Sequence, residues 1–118
     1  MARTVLIVDD HPSFRASARR MLEADGYEVL AEAEDGAAAL AAVEQLRPDL
    51  VLLDVRLPDI DGFEVARRLL GADGQAPQIV LTSSNDPNDL GEAIDDSGAC
   101  GFIPKGELTG TAVAALLR

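Results

Sequence analysis

Acidic, hydroxyl and basic side chains follow several short apolar segments of the chain, and their spacing suggests chemistry. Asp9 and Asp10 follow the first segment, Asp54 the third, Thr82 the fourth, and Lys105, the only lysine, the fifth. Three carboxylates gathered within a few ångströms repel one another and raise one another's pKa values unless a cation neutralises them. If the fold brings these side chains together, the sequence predicts a site for a divalent cation.

Oxygen ligands of this kind suit Mg²⁺, which binds through one or two carboxylates and keeps several waters. Bound Mg²⁺ attracts phosphate, and a neighbouring carboxylate can attack the phosphorus and become an aspartyl phosphate. The transferred group carries its charge on three oxygens. The metal, Lys105, and Thr82 with backbone N–H groups would each hold one of them. The set therefore predicts phosphoryl transfer by positioning and charge neutralisation.

Each of these residues, taken singly, also has a structural interpretation. An aspartate after a strand often caps the next helix, and Asp10 stands directly before His11 and Pro12. Thr82 is a common type of turn residue. His11 is expected at an exposed helix start rather than as a metal ligand. Only the conjunction of these residues at strand ends favours the functional interpretation.

Five apolar, β-branched segments alternate with five segments of helical periodicity. The predicted strands are 5–8, 27–33, 50–53, 78–81 and 99–103. The predicted helices begin at Pro12, Gly36, Asp61 and Asp86, and a last helix lies somewhere from Glu107 to Leu117. Because each return between neighbouring strands needs a crossover, the strands must be parallel. We predict one α/β domain, a flavodoxin-like (βα)5 fold with strand order 2-1-3-4-5, whose ligands bind at the carboxyl ends of the strands.

Composition narrows the classes of function. The 118 residues contain 10 basic and 21 acidic side chains, for a net charge of −11 at pH 7. This length suits one domain. Acidic residues outnumber basic ones, which argues against direct binding of nucleic acid. No segment approaches the roughly 18 apolar residues of a membrane span. A single cysteine excludes an internal disulfide and fits a cytoplasmic location.

Three segments resemble the receiver domain of two-component response regulators. They are residues 5–12 (VLIVDDHP), 52–62 (LLDVRLPDIDG) and 98–105 (GACGFIPK). The resemblance covers essentially the whole chain, 1–118, as one receiver domain without an output domain. The Asp-Asp-His-Pro opening, and the arginine two places after Asp54, are most similar to receivers attached to helix-turn-helix output domains of the LuxR/NarL type.

The resemblance implies a role for each acidic residue of the set. Asp54 would be the phospho-acceptor and would receive the phosphoryl group from a histidine kinase. Asp10 would bind Mg²⁺ directly and Asp9 would assist, through a water molecule. The backbone carbonyl of Arg56 would be a further metal ligand.

The resemblance also implies a conformational switch. Lys105 would pair with the phosphoryl group, Thr82 would move toward it, and Phe102 would move with Thr82. The face formed by the predicted fourth helix, fifth strand and fifth helix would report the change to an output domain or partner protein, and a homodimer is compatible with it. The chain would be a signalling phospho-acceptor, not an enzyme acting on other substrates.

Three departures from the family pattern bear on this expectation. Gly106 stands where many receivers have proline, which suggests a looser loop. The Arg56 side chain lies beside the phosphoryl site in sequence. The predicted fourth helix is acidic and contains Gly91, which makes it intrinsically weak and suggests a mobile signalling face.

Two alternative functions remain at this stage. One is a small Mg²⁺-dependent phosphatase with an aspartate nucleophile, although such enzymes place an Asp-x-Asp pattern after the first strand. The other is an interaction module on the same scaffold that works without phosphorylation.

Overall fold

The computed structural model describes residues 3–71, 76–84, 94 and 96–117, whose centre is a parallel sheet of five strands in the order β2-β1-β3-β4-β5. The strands are β1 Thr4–Val8, β2 Glu28–Ala33, β3 Leu50–Asp54, β4 Gln78–Ser83 and β5 Gly101–Pro104. The helices are α1 Pro12–Ala24, α2 Gly36–Leu46, α3 Gly62–Gly71 and a last helix Gly110–Leu116. The predicted fold class and strand order are both confirmed.

The central strands are buried on both faces because alternate residues point into two separate cores. Leu6, Val51 and Leu53 pack on one side with residues of α2 and α3. Ile7 and Leu52 pack on the other side with residues of α1 and the last helix. This two-sided burial is why the strands read as continuous apolar runs in the sequence.

Helices α1 and α2 begin and end where the sequence predicts. Pro12 is the first residue of α1, and its missing N–H costs nothing at that position. The turn after α1 contains Gly26 at φ 90°, a conformation that favours glycine. Asp35 caps α2 by accepting a hydrogen bond from the Ala38 N–H at 2.8 Å. No helix among the described residues is long and apolar enough to span a membrane.

The last part of the chain differs in detail from the prediction. Strand β5 begins at Gly101, and Lys105–Glu107 forms a 3₁₀ turn after it. The last helix starts only at Gly110 because Thr109 caps it, accepting from the Ala112 N–H at 3.0 Å. Gly106 lies inside the 3₁₀ turn, and the expected looser loop there stays a prediction.

The predicted fourth helix is only partly within the described residues. Residues 94 and 96–97 are helical, in agreement with the end of the predicted segment. Most of its acidic residues and Gly91 lie outside the described residues.

Gly62 brings the start of α3 against the end of β3. A Cβ atom at this position would overlap the Asp54 carbonyl oxygen and lie 2.7 Å from Val55 Cα. The Gly62 N–H donates to the Val55 carbonyl at 2.8 Å. Since both neighbours are backbone atoms, no side-chain rotation can relieve the overlap.

Replacing Gly62 by alanine is expected to lower the free energy of unfolding by at least about 2–3 kcal/mol, because overpacked sites have to shift backbone. The matched control is Gly106→Ala, since a Cβ there meets no atom within 4 Å. That variant should be neutral or more stable by up to about 1 kcal/mol. Urea unfolding measures both, and equal stabilities of the two variants would contradict the close approach at Gly62.

Candidate functional site

Strand register places three of the predicted site residues at one edge of the sheet. Val8 pairs with Leu53, so Asp9 and Asp54 follow at the same level of β1 and β3. Asp54 pairs in turn with Thr82 on β4. Asp9, Asp54 and Thr82 are all at least 97% buried. The carboxyl ends of the strands therefore gather these side chains, as the sequence predicts.

Lys105 joins the two buried carboxylates. Its Nζ lies 2.7 Å from Asp9 Oδ2 and 3.2 Å from Asp54 Oδ2. The same Nζ lies 4.7 Å from the centre of the Phe14 ring on α1, within the range of a cation–π interaction. The 3₁₀ turn after β5 thus delivers the only lysine of the chain to the centre of the site.

The charges at this site shift the pKa values of both partners upward. Burial raises the pKa of the Asp54 carboxyl, and the charge of Asp9 raises it further, although the Arg56 N–H and Lys105 oppose the shift. Burial alone would lower the pKa of Lys105, but the carboxylates of Asp9 and Asp54 outweigh it and raise the pKa. Lys105 is therefore a permanent cation between two carboxylates that it does not fully neutralise.

Asp9, Asp10 and Asp54, which we call the acidic cluster, have donor atoms suited to a metal ion. One ligand atom from each of them and one from His11 all lie within 4.8 Å of one another. Asp9 is fully buried, and its Oδ2 pairs with the Lys105 ammonium at 2.7 Å, which leaves bonding capacity on that oxygen among the described residues. Buried oxygen ligands with unfilled bonding capacity fit a hard divalent cation such as Mg²⁺.

Of two sequence-based expectations, Asp10 as a helix cap and His11 as an exposed residue at the helix start, only the second is met. His11, not Asp10, is the N-cap residue of α1, and its side chain makes no cap hydrogen bond. The imidazole is 62% exposed, in agreement with the expected helix start, yet its Nδ1 lies 3.0 Å from a carboxylate oxygen of both Asp9 and Asp10. The structure therefore adds His11 to the surroundings of the acidic cluster.

The Thr82 hydroxyl is buried beside Asp54 and is not satisfied. Its Oγ1 has no hydrogen-bond partner within the described part of the chain. Leaving a buried hydroxyl unpaired costs about 1–3 kcal/mol. A donor held in this state is available to an acceptor that arrives at Asp54.

The loop between β3 and α3 is fixed at both of its ends. The Arg56 N–H donates to Asp54 Oδ1 at 3.1 Å. Further along, Asp59 accepts from the Gly36 N–H at 2.8 Å and from the Ala37 N–H at 2.9 Å, at the start of α2. The segment that follows Asp54 is thus tied to the neighbouring helix.

Phe102 lies one strand away from the acidic cluster. It pairs in register with Leu81, is partly buried, and packs against the core on the side of α2 and α3. This arrangement agrees with simple core packing and leaves the expected switch role as a prediction.

Sequence reasoning missed three residues that shape the site: Phe14, Asp59 and Gly62. Phe14 reads only as an apolar position of a helix, and its contact with Lys105 joins segments 91 positions apart. The Asp-Gly pair at 61–62 signals a turn, which hinted at Gly62 but not at its contact with β3.

Asp54→Asn is expected to raise the free energy of unfolding at pH 7 without divalent metal, by about 1 kcal/mol, in the range common for stabilising substitutions. The raised pKa means that ionised Asp54 opposes folding. This penalty is absent below the ordinary aspartate pKa of 3.8 and grows as the pH rises through the folded-state value. The advantage of the variant should therefore vanish in acid, which urea unfolding at several pH values measures.

Asp59→Asn is the matched control, because it removes the same charge from the loop that follows Asp54. Hydrogen bonds from the Gly36 N–H and, to a smaller extent, the Ala37 N–H lower the pKa of Asp59. The ionised Asp59 carboxylate therefore stabilises the folded protein at pH values above the ordinary aspartate pKa. This variant should be less stable at pH 7. Shifts of the same sign in both variants would show a mere effect of net charge.

Comparison with known proteins agrees with this geometry. Residues 5–116 match the family described as the response regulator receiver domain. A putative transcriptional regulator of Pseudomonas aeruginosa is 42% identical over 103 residues, which are 87% of this chain and 49% of that protein. The DNA-binding transcriptional activator EvgA of Escherichia coli K12 is 35% identical over 111 residues, 94% of this chain and 54% of that protein.

A solved structure of similar shape belongs to the same family. The signal receiver domain of the putative response regulator NarL from Mycobacterium tuberculosis superposes with a TM-score of 0.84 at 33% identity, covering 98% of this chain and 96% of that one. The chain spans about half the length of the curated relatives it matches. No observation favours the phosphatase alternative. The chain belongs to the receiver domain family of two-component response regulators, and its relatives include regulators of the LuxR/NarL type.

Proposed function

We propose that this receiver domain accepts a phosphoryl group on Asp54 from the phosphohistidine of a histidine kinase, in a reaction that depends on Mg²⁺. The observation that carries the proposal is that Asp54 lies 3.2 Å from the Lys105 ammonium and has a ligand atom within 4.8 Å of those of Asp9 and Asp10. A cytoplasmic location belongs to the same proposal.

The chemistry follows from the groups around Asp54. A carboxylate oxygen of Asp54 attacks the phosphorus, a P–O bond forms, the P–N bond of the phosphohistidine breaks, and the leaving imidazole takes up a proton from solvent. Lys105 Nζ, held between Asp9 and Asp54, lies where it can pair with the negative charge of the incoming group. The acceptor acts once per phosphoryl group, so the chain is a signalling phospho-acceptor and catalyses only its own modification.

Mg²⁺ would be held by the carboxylates of Asp9, Asp10 and Asp54 and by the backbone carbonyl of Arg56. It would supply charge neutralisation for the phosphoryl oxygens and for the acidic cluster. The charge balance supports this assignment, because the single ammonium of Lys105 pairs with both Asp9 and Asp54 and does not neutralise three carboxylates, and a cation relieves their repulsion.

The response of the protein would start at Thr82. Its unpaired hydroxyl gains a charged acceptor when Asp54 is phosphorylated, and such charge-assisted hydrogen bonds are the strong ones. Phe102 on the adjacent strand would move with it. The altered face around β5 and the last helix would be read by an output domain or a partner protein, with a second copy of the chain as one candidate.

Incubation with Mg²⁺ and acetyl phosphate is expected to add one phosphoryl group to the wild-type chain, which intact-mass spectrometry detects. Asp54→Asn should take up none, while Asp59→Asn, which loses a carboxylate of the loop after β3, should still react. Phosphorylation of the Asp54 variant would refute the acceptor assignment. Failure of the wild type with both acetyl phosphate and histidine kinases would favour the phosphorylation-independent interaction module.

Thr82→Val is expected to stabilise the unphosphorylated protein by about 1 kcal/mol, because it replaces an unpaired buried hydroxyl with a methyl of similar shape. It should also abolish the chemical-shift changes that phosphorylation causes on β5 in NMR spectra, without preventing phosphorylation. Thr82→Ser keeps the hydroxyl and should retain those changes. A valine variant that still shows the full changes would remove Thr82 from the switch.

A further inference from the structure

The Phe14 ring contributes a third contact to the ammonium group of Lys105. Lys105 Nζ forms an ion pair with Asp9 at 2.7 Å and a hydrogen bond to Asp54 at 3.2 Å. An ammonium group has three N–H donors, so these two carboxylates leave one over. The same nitrogen lies over the Phe14 ring, 4.7 Å from its centre. Three separate parts of the chain therefore hold the ammonium: the residue after β1, the end of β3 and helix α1.

The ring is itself held in place by the core. Phe14 is partly buried and packs against the apolar core on the side of α1 and the last helix. Lys105 is also mostly buried, with 15% of its side chain exposed. A cation–π contact is stronger where water is excluded from the cation. Phe14 thus offers Lys105 both a fixed surface and an electrostatic partner.

A fixed ammonium favours the transfer of a phosphoryl group. The lysine side chain has a flexible stem of four carbons, and ordering it costs conformational entropy. An ammonium already held beside Asp54 needs no reordering when negative charge arrives there. The face of an aromatic ring is electron-rich but carries no net charge, so it is a weaker partner than a phosphoryl oxygen. The contact with Phe14 therefore leaves Lys105 able to pair with the incoming group.

We propose that Phe14 is a positioning residue for the phosphorylation of Asp54, because its ring holds the Lys105 ammonium where the incoming phosphoryl group needs it. The inference rests on the proposed function, since it assigns a further residue to the same reaction. It adds that the aromatic ring on α1, and not only its apolar bulk, sets the rate.

The rate of phosphorylation by acetyl phosphate at saturating Mg²⁺ tests the proposal. Phe14→Leu keeps an apolar side chain but loses the ring, and it should slow the reaction about threefold to tenfold, as expected for the loss of a cation–π contact. Phe14→Tyr keeps the ring and should react nearly as fast as the wild type. The matched control is Met21→Ala, which removes apolar bulk from the same helix and the same core and should leave the rate unchanged.

Ring fluorination separates the charge of the ring from its bulk. Fluorine atoms on the Phe14 ring withdraw negative charge from its face and change its size little. Site-specific incorporation of rings with one, two and three fluorines should therefore slow the reaction stepwise. An equal rate throughout this series would overturn the proposal. So would a Phe14→Leu variant that reacts faster than the wild type, or a loss of rate in Met21→Ala equal to that in Phe14→Leu.

A second measurement observes Lys105 directly by NMR, and its assignment is unambiguous because Lys105 is the only lysine. Protons held over the face of an aromatic ring resonate upfield. The ε-methylene signal of Lys105 should therefore lie upfield in the wild type and in Phe14→Tyr. In Phe14→Leu it should return toward the position of free lysine. The same signal in all three proteins would contradict the contact.

The two proposals fail in distinguishable ways. If the wild type is phosphorylated at Asp54 and Phe14→Leu reacts equally fast, the acceptor assignment stands and the role of Phe14 falls. If Asp54→Asn is still phosphorylated, the acceptor assignment falls, and the role of Phe14 in that reaction falls with it, whatever the NMR signal of Lys105 shows.

Discussion

Three carboxylates and one ammonium meet at the carboxyl end of this sheet, and the rest of the structure keeps them there. Lys105 reaches Asp9 at 2.7 Å and Asp54 at 3.2 Å, yet burial, together with the charge of Asp9, still raises the pKa of Asp54. Such a cluster is held against its own repulsion, which requires strands that cannot separate. Two cores, one on each face of the sheet, provide that restraint.

The cluster also depends on contacts outside the strands. Helix α1 contributes the Phe14 ring to Lys105, and its Arg15 guanidinium donates to the Asp9 carbonyl at 2.6 Å. The start of α3 approaches the end of β3 so closely that only glycine fits at position 62. The packed backbone therefore holds the charged side chains together against their mutual repulsion. The repulsion lowers the stability of the folded protein, as is common at functional sites.

The fold and the centre of the site could be predicted from the sequence because both follow from local patterns. Apolar runs identify the strands, their alternation with helices makes them parallel, and the residues after them must share one edge. Phe14, Asp59 and the contact of Gly62 could not be predicted in this way. Each depends on the distance between segments that are far apart in the chain, which periodicity does not contain. The last helix lies inside the predicted range 107–117, but its start at Gly110 depends on the Thr109 cap, which the periodicity of the apolar residues does not identify.

Asp59 accepts two hydrogen bonds from the start of α2, so the loop between β3 and α3 is more firmly held than the Thr82 side of the site. Moving the β3–α3 loop means breaking charged hydrogen bonds to the Gly36 and Ala37 N–H groups. Turning the Thr82 hydroxyl breaks no hydrogen bond among the described residues. The β3–α3 side of the site is therefore the more strongly restrained, and the Thr82 side can rearrange without the loss of a hydrogen bond among the described residues.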